Sequence, residues 1–385
     1  MPLTTKEIPF ARPWIEDDDR RAVLRVLEGH ILTHGPEGKA FENEFAEFLG
    51  SGACCVSVSS CMAALHLAYV QFGIGPGDEV IVPALTHTAT AHAVEWVGAR
   101  PVFVDCDPTT GNVTAEGIAK AVTPQTKAIS VVHHVGIPCD MPGIMRVADE
   151  HQLRVVEDCA TAVGAQHGGT HVGLFGDAGG FSFYPVKHLT TGEGGMLVTR
   201  HADVAAGVSR LRAFGVDRSH SERTVPGMYD VPTLGLNYRM SEMQAALGRT
   251  QLRRIGKNLE RRRRNFIRLK ASLAELPGVR TLDAGSADVQ NSHYCLSVVL
   301  ERWRTNARNS LIARLNERGV GTSIYYPQPV PRMTYYRTKY GYDRSAYPHA
   351  ERISDCSIAL PVGPHIAPDG IDYIADVFRH SVHQP

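Results

Sequence analysis

The sequence predicts an α/β fold: a large, mainly parallel seven-stranded sheet flanked by helices, followed by a smaller α+β unit. Three observations predict it. Short apolar, β-branched runs alternate with helical patterns through the first two-thirds of the chain, as strand–helix–strand units require. Glycine and proline punctuate those runs. After Asn237 the texture changes to a long helical pattern followed by short mixed elements.

The elements follow in order. Ala53–Ser59 (ACCVSVS) reads as a buried strand and Met62–Phe72 as a helix ended by the glycines at 73, 75 and 77. Asp78–Ala84 (DEVIVPA), Arg100–Asp105 (RPVFVD), Lys127–His133 (KAISVVH) and Leu153–Cys159 (LRVVEDC) are strands. Between them Ala89–Val97, Ala115–Val122 and Met141–His151 read as helices, and Gly179–Tyr184 and Gly195–Arg200 complete the seven strands. Met240 to Leu276 reads as one helix, because Leu252, Ile255, Leu259, Phe266, Leu269 and Leu273 recur at three- and four-residue steps, with Gly256 a weak spot. Its run Arg261–Arg264 reads as a solvated face with ion pairs at a domain edge. Strands at His293–Leu300 and Val320–Tyr325, helices at Asn306–Arg318 and Asp369–Val382, and a Tyr/Pro-rich loop at Tyr326–Tyr347 make up the rest. The division expected is a large unit over 1–250 and a small one over 251–385, opened by the long helix.

Composition excludes several classes. The 385 residues are 43% hydrophobic and 21% charged, with 40 Lys plus Arg against 40 Asp plus Glu. Zero net charge gives no electrostatic reason to bind nucleic acid. No apolar run approaches the ~20 residues of a spanning helix, so no membrane is expected. Met1–Phe10 has no signal-peptide core, and the eight cysteines form no CxxC pair, so a cytoplasmic location is expected.

No GxGxxG follows the first strand, and no GxxxxGK[ST], GxSxG or HExxH occurs. The 18 histidines show no ligand spacing with acids on an evident helix, so no metal is expected. In parallel sheets, sites lie beyond the carboxyl ends of the strands. Three strand exits carry polar residues. Ser59-Ser60-Cys61 lies between a strand and a helix N-terminus, where exposed N–H groups and hydroxyls bind phosphate; a plain Ser N-cap is the alternative. Glu157-Asp158 ends an apolar strand and needs a cation or donor, either a structural ion pair or a protonated heterocyclic nitrogen. Lys187 follows a strand and precedes Gly192-Glu193-Gly194-Gly195; desolvated there, it is a Schiff-base nucleophile, and otherwise a surface lysine. Phosphate, ring nitrogen and aldehyde are together the three handles of pyridoxal 5′-phosphate.

Four longer segments then carry a family resemblance: Gly75–Pro83 (GPGDEVIVP), Val156–Ala160 (VEDCA), Phe181–Lys187 (FSFYPVK) with Gly192–Gly195, and Asn237–Ala246 (NYRMSEMQAA). From Pro9 to about Val362 the chain resembles the DegT/DnrJ/StrS sugar aminotransferases of fold type I, within the aspartate-aminotransferase superfamily. The resemblance implies that Lys187 carries the cofactor as a Schiff base and that Asp158 faces its pyridine nitrogen. It puts Ser60, Cys61 and Met62 in the phosphate loop and Ser182 as a second phosphate ligand. His87 falls where an aromatic ring stacks on the pyridine, with Ala160 on the opposite face. Asn237 matches an asparagine that reaches the neighbouring subunit's cofactor, which implies a homodimer with shared sites. Arg239, in the same loop, meets an anionic part of the substrate or ties the loop to an acid such as Glu242. Thr33, in Thr33-His34-Gly35, matches a loop near the substrate.

The departures fall around the site. Cys61 and Met62 stand for the usual Gly-Thr, which removes one hydroxyl ligand. Thr161 stands for a glutamine that contacts the cofactor's phenolic oxygen and is too short to copy that contact. Tyr325-Tyr326-Pro327 stands for His-Tyr-Pro, so Tyr325 is expected to narrow or shift the sugar choice. The expected reaction moves an amino group from glutamate to a keto sugar, first a nucleotide-linked 4-keto-deoxysugar. The alternatives are a keto-cyclitol or other non-nucleotide substrate with glutamine as donor, a sugar dehydratase, and a non-catalytic regulator. Dehydratases of this family replace the lysine with histidine; here Lys187 is present and His188 follows it.

Overall fold

The computed structural model describes residues 6–50, 52–217, 224–225, 227–301 and 303–382. The first residues of the N-terminal segment read for a signal peptide lie outside them.

Helices α1 (Asp17–Glu28) and α2 (Pro36–Leu49) precede the sheet. The sheet then follows the alternation closely: β1 (Cys54–Val58), α3 (Cys61–Gln71), β2 (Glu79–Pro83), α4 (Thr88–Trp96), β3 (Arg100–Val104), α5 (Ala115–Ala121), β4 (Thr126–Val132), α6 (Met141–His151) and β5 (Arg154–Asp158). Apolar, β-branched strands buried on both faces form because helices cover each side of a parallel sheet. Local signals fix the helix starts. Ser60 caps α3 by accepting from the Ala63 N–H, His87 caps α4 by accepting from Ala89, and Asp140 caps α6 by accepting from Gly143.

Two short strands, β6 (Gln166–His167) and β7 (Thr170–His171), form a hairpin that the sequence does not announce. Strands β8 (Ala178–Ser182) and β9 (Gly195–Thr199) complete the main sheet, in the order β1-β9-β8-β5-β4-β2-β3. β9 pairs antiparallel with both β1 and β8, and every other pairing is parallel.

Helix α7 (Ala202–Leu211) follows. The expected single helix over 240–276 is two: α8 (Glu242–Arg253) and α9 (Ile255–Leu273). The break falls at Arg254, not at Gly256. Arg254 has φ −109° and ψ 10°, and its guanidinium holds the Asp19 carboxylate and the Trp14 carbonyl beside α1. β10 (Val279–Thr281), β12 (Leu296–Leu300) and β13 (Ser357–Leu360) make an antiparallel sheet, while β11 (Val289–Gln290) joins the β6–β7 hairpin. The strand expected over 320–325 is only two bridges, Val320 to Ile8 and Ser323 to Ala359. The expected Tyr/Pro loop contains a helix; α10 (Thr305–Glu317), α11 (Thr334–Tyr340), α12 (Pro348–Cys356) and α13 (Pro368–Val382) complete the order. Leu269, Leu273, Leu296, Val298, Leu311, Ile374 and Phe378 form one buried cluster of this C-terminal part, and Ile8 packs into it from the other end of the chain. Among the described residues, no helix is long and apolar enough to cross a membrane.

The arginine run is not one solvated face. Arg261 lies over the Trp14 ring, and Arg263 and Arg264 pair with Glu260. Arg262 points inward and is buried, donating to Asn258 Oδ1 at 3.0 Å and the Tyr294 carbonyl at 2.9 Å. Arg262 lies three residues after Leu259 and four before Phe266, so helical spacing itself puts it on the inward stripe of α9 with Ile255, Phe266 and Leu269.

Candidate active site

Strand alternation separates Glu157 from Asp158. Glu157 is fully buried, and its carboxylate accepts from the Gly173, Phe175 and Gly176 N–H groups and from His133 Nε2. His133 Nδ1 accepts from the Cys139 N–H, so its proton sits on Nε2. His133, Glu157 and Cys159 offer ligand atoms within 4.8 Å of one another. Their hydrogen bonds already occupy the carboxylate, and burial beside Glu157 pushes the Cys159 thiol well above its ordinary value. This acid is the structural one.

Asp158 points the other way. Thr90 Oγ1 donates to its Oδ2 at 2.7 Å, and the Ala160 N–H donates to Oδ1 at 3.0 Å. Cys61, the first residue of α3, lies with Sγ 3.7 Å from the same Oδ1 and 3.3 Å from the Gly180 carbonyl. Thr86 and Thr90 are both fully buried, with their hydroxyls 2.8 Å apart.

Lys187 follows β8 in a turn closed by its N–H on the Tyr184 carbonyl. Desolvation by burial lowers its pKa, and Asp158, the nearest charge acting on it, opposes that shift. Its Nζ lies 5.0 Å from the centre of the Tyr294 ring. The turn is tied down from α9: Asn258 Nδ2 donates to the His188 carbonyl and Arg262 to the Tyr294 carbonyl. Burial brings the Arg262 guanidinium down to about 10, with no carboxylate among its hydrogen-bond partners.

The remaining expected residues gather around this pair. Ser60 and Ser182 stand at the exits of β1 and β8, with the Ser60 hydroxyl capping α3 and the Ser182 hydroxyl accepting from the Tyr184 N–H. Any side chain on Gly195 would collide with the Ser60–Cys61 peptide, so the glycine lets β9 pass the N-terminus of α3. Met62 packs against the core under α3. His87 feels both Asp158 and Lys187; burial lowers its pKa, and its Nδ1 accepts from Ala89. Thr161 Oγ1 donates to the His133 carbonyl, so the short side chain is spent on backbone. Tyr325 is hydrogen-bonded through its hydroxyl to that of Tyr294 at 2.7 Å.

Arg239 sits 2.9 Å from His34 Nε2 and lies over the Phe214 ring. It does not hold Glu242, whose carboxylate receives the Glu37 and Gly38 N–H groups at the start of α2. Thr33 and Asn237 are exposed.

Sequence reasoning missed Thr90 and Tyr294, and named Tyr326 only as part of the Tyr325-Tyr326-Pro327 segment. Tyr326 packs edge-on to His87 and His134, and burial together with the Asp158 charge raises its phenol well above its ordinary value. Thr90 lies three residues after His87, close enough to a flagged position to have been found by asking what shares the first turn of α4.

A lysine influenced by an acid at the carboxyl ends of a mainly parallel sheet with one reversed strand is an arrangement that fits fold type I aminotransferases. The chain matches the DegT/DnrJ/EryC1/StrS aminotransferase family over residues 13–379 and belongs to it. It is 37% identical over 393 residues to the UDP-N-acetyl-3-dehydro-alpha-D-glucosamine 3-aminotransferase of Acidithiobacillus ferrooxidans, covering 100% of this chain and 98% of that one. It is 38% identical over 325 residues to the GDP-perosamine synthase of Caulobacter vibrioides, covering 84% and 85%. The PLP form of Spr1654 from Streptococcus pneumoniae, described as a sugar aminotransferase, superposes with a TM-score of 0.91 at 28% identity over 98% of this chain and 99% of that one.

Proposed function

We propose that this aminotransferase uses pyridoxal phosphate to move an amino group from glutamate to a nucleotide-linked keto sugar, with a 4-keto group as first choice. The observation that carries the reading is the desolvated Lys187 amine acting against the Asp158 carboxylate at one set of strand exits. The donor set fits the cofactor. The α3 N-terminus offers peptide N–H groups for a phosphate, with the Ser60 and Ser182 hydroxyls beside it. Asp158 offers an acceptor for a ring N–H, and His87 and Ala160 flank the position between them. Met62 supplies no hydroxyl, so the peptide groups of Cys61 and Met62 carry more of the phosphate. Thr161 reaches the His133 carbonyl, so another donor serves the phenolic oxygen.

When bound, the cofactor supplies an electron sink for the pair left by a departing α-proton. The chain's residues do the rest. Burial keeps more of the Lys187 amine neutral near pH 7, ready first as nucleophile and then as the base that carries that proton. Asp158 holds the proton on the ring nitrogen. Tyr294 and Tyr325 wall the amine, and Tyr325 is the proposed selector of the sugar.

The proposed assembly is a homodimer with shared sites. Leu24, Leu27, Ile31 and Leu32 at one edge, and Phe214, Met228, Val231 and Leu234 near Asn237, are exposed apolar side chains, of the kind that mark association surfaces. Asn237 would then reach the partner's cofactor, with Arg239 and Thr33 on the substrate side. The division into 1–250 and 251–385 and a cytoplasmic location belong to the same proposal; the eight free cysteines fit a reducing compartment.

The test is direct. Purified protein loaded with pyridoxal phosphate should absorb in the visible, and borohydride should abolish the band and fix the label on Lys187. A colourless protein, or a label on another lysine, overturns the reading. A panel of 3-keto and 4-keto nucleotide sugars beside a keto-cyclitol then resolves the acceptor: turnover of the cyclitol alone rejects the nucleotide sugar.

A further inference from the structure

We propose that Thr90, backed by Thr86, is a positioning residue for this reaction: it grips the Asp158 carboxylate and sets how firmly that carboxylate holds the ring proton. The inference rests on the reading of Lys187 and Asp158 above and concerns residues that reading does not use.

The hydrogen-bond direction is forced. A carboxylate only accepts, and a hydroxyl has a single proton. The Thr90 proton therefore goes to Asp158 Oδ2 at 2.7 Å, and the hydroxyl contact at 2.8 Å can only be Thr86 donating to Thr90. Both threonines are 0% exposed and Asp158 is 5% exposed, so water does not compete. In a chain of this kind each bond polarises the next, which strengthens the terminal donor.

A buried threonine in a helix ordinarily returns its hydroxyl to a carbonyl one turn back. Thr90 instead reaches an acid 68 residues along the chain, on another strand. The carboxylate needs such a grip, because the last torsion of an aspartate is broad and holds no orientation by itself. A carboxylate has about four lone-pair positions. The Ala160 N–H donates to Oδ1 and Thr90 to Oδ2, while the single proton of the Cys61 thiol has the Gly180 carbonyl at 3.3 Å, nearer than Oδ1 at 3.7 Å. The oxygen that Thr90 holds therefore keeps an open acceptor position. His87 caps the same helix, so one turn of α4 presents both the ring expected to stack on the cofactor and the grip on the acid beneath it.

The experiment uses the full-length protein loaded with pyridoxal phosphate labelled with ¹⁵N in the ring, as wild type and as Thr90→Val, Thr90→Ser and Thr86→Val. Thr90→Val should slow the glutamate half-reaction by about 10- to 100-fold, the range for losing a hydrogen bond to a charged group, with KM for glutamate within about 2-fold. The ring ¹⁵N signal should move toward the unprotonated position. Thr90→Ser should restore both readouts to within about 3-fold of wild type, and Thr86→Val should shift both in the same direction by less. A purely structural threonine would lower yield and thermal stability but leave the ¹⁵N signal of the folded fraction in place. An unchanged signal and rate in Thr90→Val, with the borohydride label still on Lys187, overturns this inference and leaves the proposed function standing. Should Thr90→Val not fold, an unchanged ¹⁵N signal in folded Thr86→Val, whatever its rate, overturns it equally. Wild type that takes no label at Lys187 overturns both.

Discussion

The floor and the rim of the site are built differently. At the floor both acids and the lysine turn are held by the chain itself: Glu157 takes four donors, Asp158 is held by Thr90 and Ala160, and the Lys187 turn is tied to α9 through Asn258, which Arg262 in turn holds. At the rim, Thr33 and Asn237 are exposed and Leu234 is 90% exposed. Among the described residues, Arg239 meets His34 and Phe214, both exposed. The floor is finished by folding, whereas the rim is left exposed, and in the proposed dimer a second copy and the substrate would cover it. Residues that do the same chemistry in every turnover can be fixed by one chain's core. Residues that must admit and release a bulky sugar cannot be.

The strongest way to break this contrast is complementation. Lys187→Ala should lose at least about 100-fold in activity, the scale of removing a positioned acid–base group, and Asn237→Ala about 10- to 100-fold, the scale of losing a hydrogen bond to a charged group. Mixed under conditions that exchange subunits, the two should recover activity, because one site of each mixed dimer regains both residues. Absence of recovery in a mixture shown to exchange would place Asn237 in its own chain's site, and a monomer at working concentration would remove the rim's need for a partner.

The second test addresses the floor. His134 is buried with both ring nitrogens unpartnered, and desolvation lowers its pKa to about 4 from an ordinary 6.5. Between those values the unfolded chain binds the proton and the folded one does not. Stability should therefore fall as pH drops from about 6.5 to 4, by about 3 kcal/mol for this group when complete. His293, also lowered to about 4 by burial, contributes in the same window. Urea titrations of wild type and His134→Leu across that range should differ in slope by the His134 share alone. Parallel pH profiles would show that the floor yields to water.

The smallest effect is expected at the rim again. Arg239→Ala should raise KM for the sugar nucleotide by about 10-fold while leaving the glutamate half-reaction intact, as expected when a residue meets only one substrate. Equal losses in both half-reactions, together with lower thermal stability, would make Arg239 a brace for the His34 turn.

Much of the floor was legible in the sequence. The seven strands of the main sheet fall within two residues of where the alternation puts them, because a strand buried on both faces leaves an apolar run with glycine and proline at its ends. Lys187 and Asp158 were found by asking what stands at strand exits, a rule set by the geometry of parallel sheets rather than by any contact. The shorter elements were not legible: β6, β7 and β11 have two residues each, too few to show a period. The break at Arg254 was not legible, with Gly256 marked only as a weak spot in one long helix, because the residue that anchors the turn binds Asp19, far away in sequence.

By itself, then, the sequence determined the layers, the strand-exit residues and the family, all of which are written in local patterns of polarity and spacing. Only the tertiary structure decided which of Glu157 and Asp158 is spent on peptide N–H groups, that the inward Arg262 takes the Asn258 and Tyr294 oxygens, that Tyr326 rather than Tyr325 lies edge-on to His87, and that Thr90 holds the acid. The physical reason is common to all four. Each depends on a hydrogen bond or a packing contact between segments distant along the chain, and a side chain's polarity states that it needs a partner without stating which one folding brings.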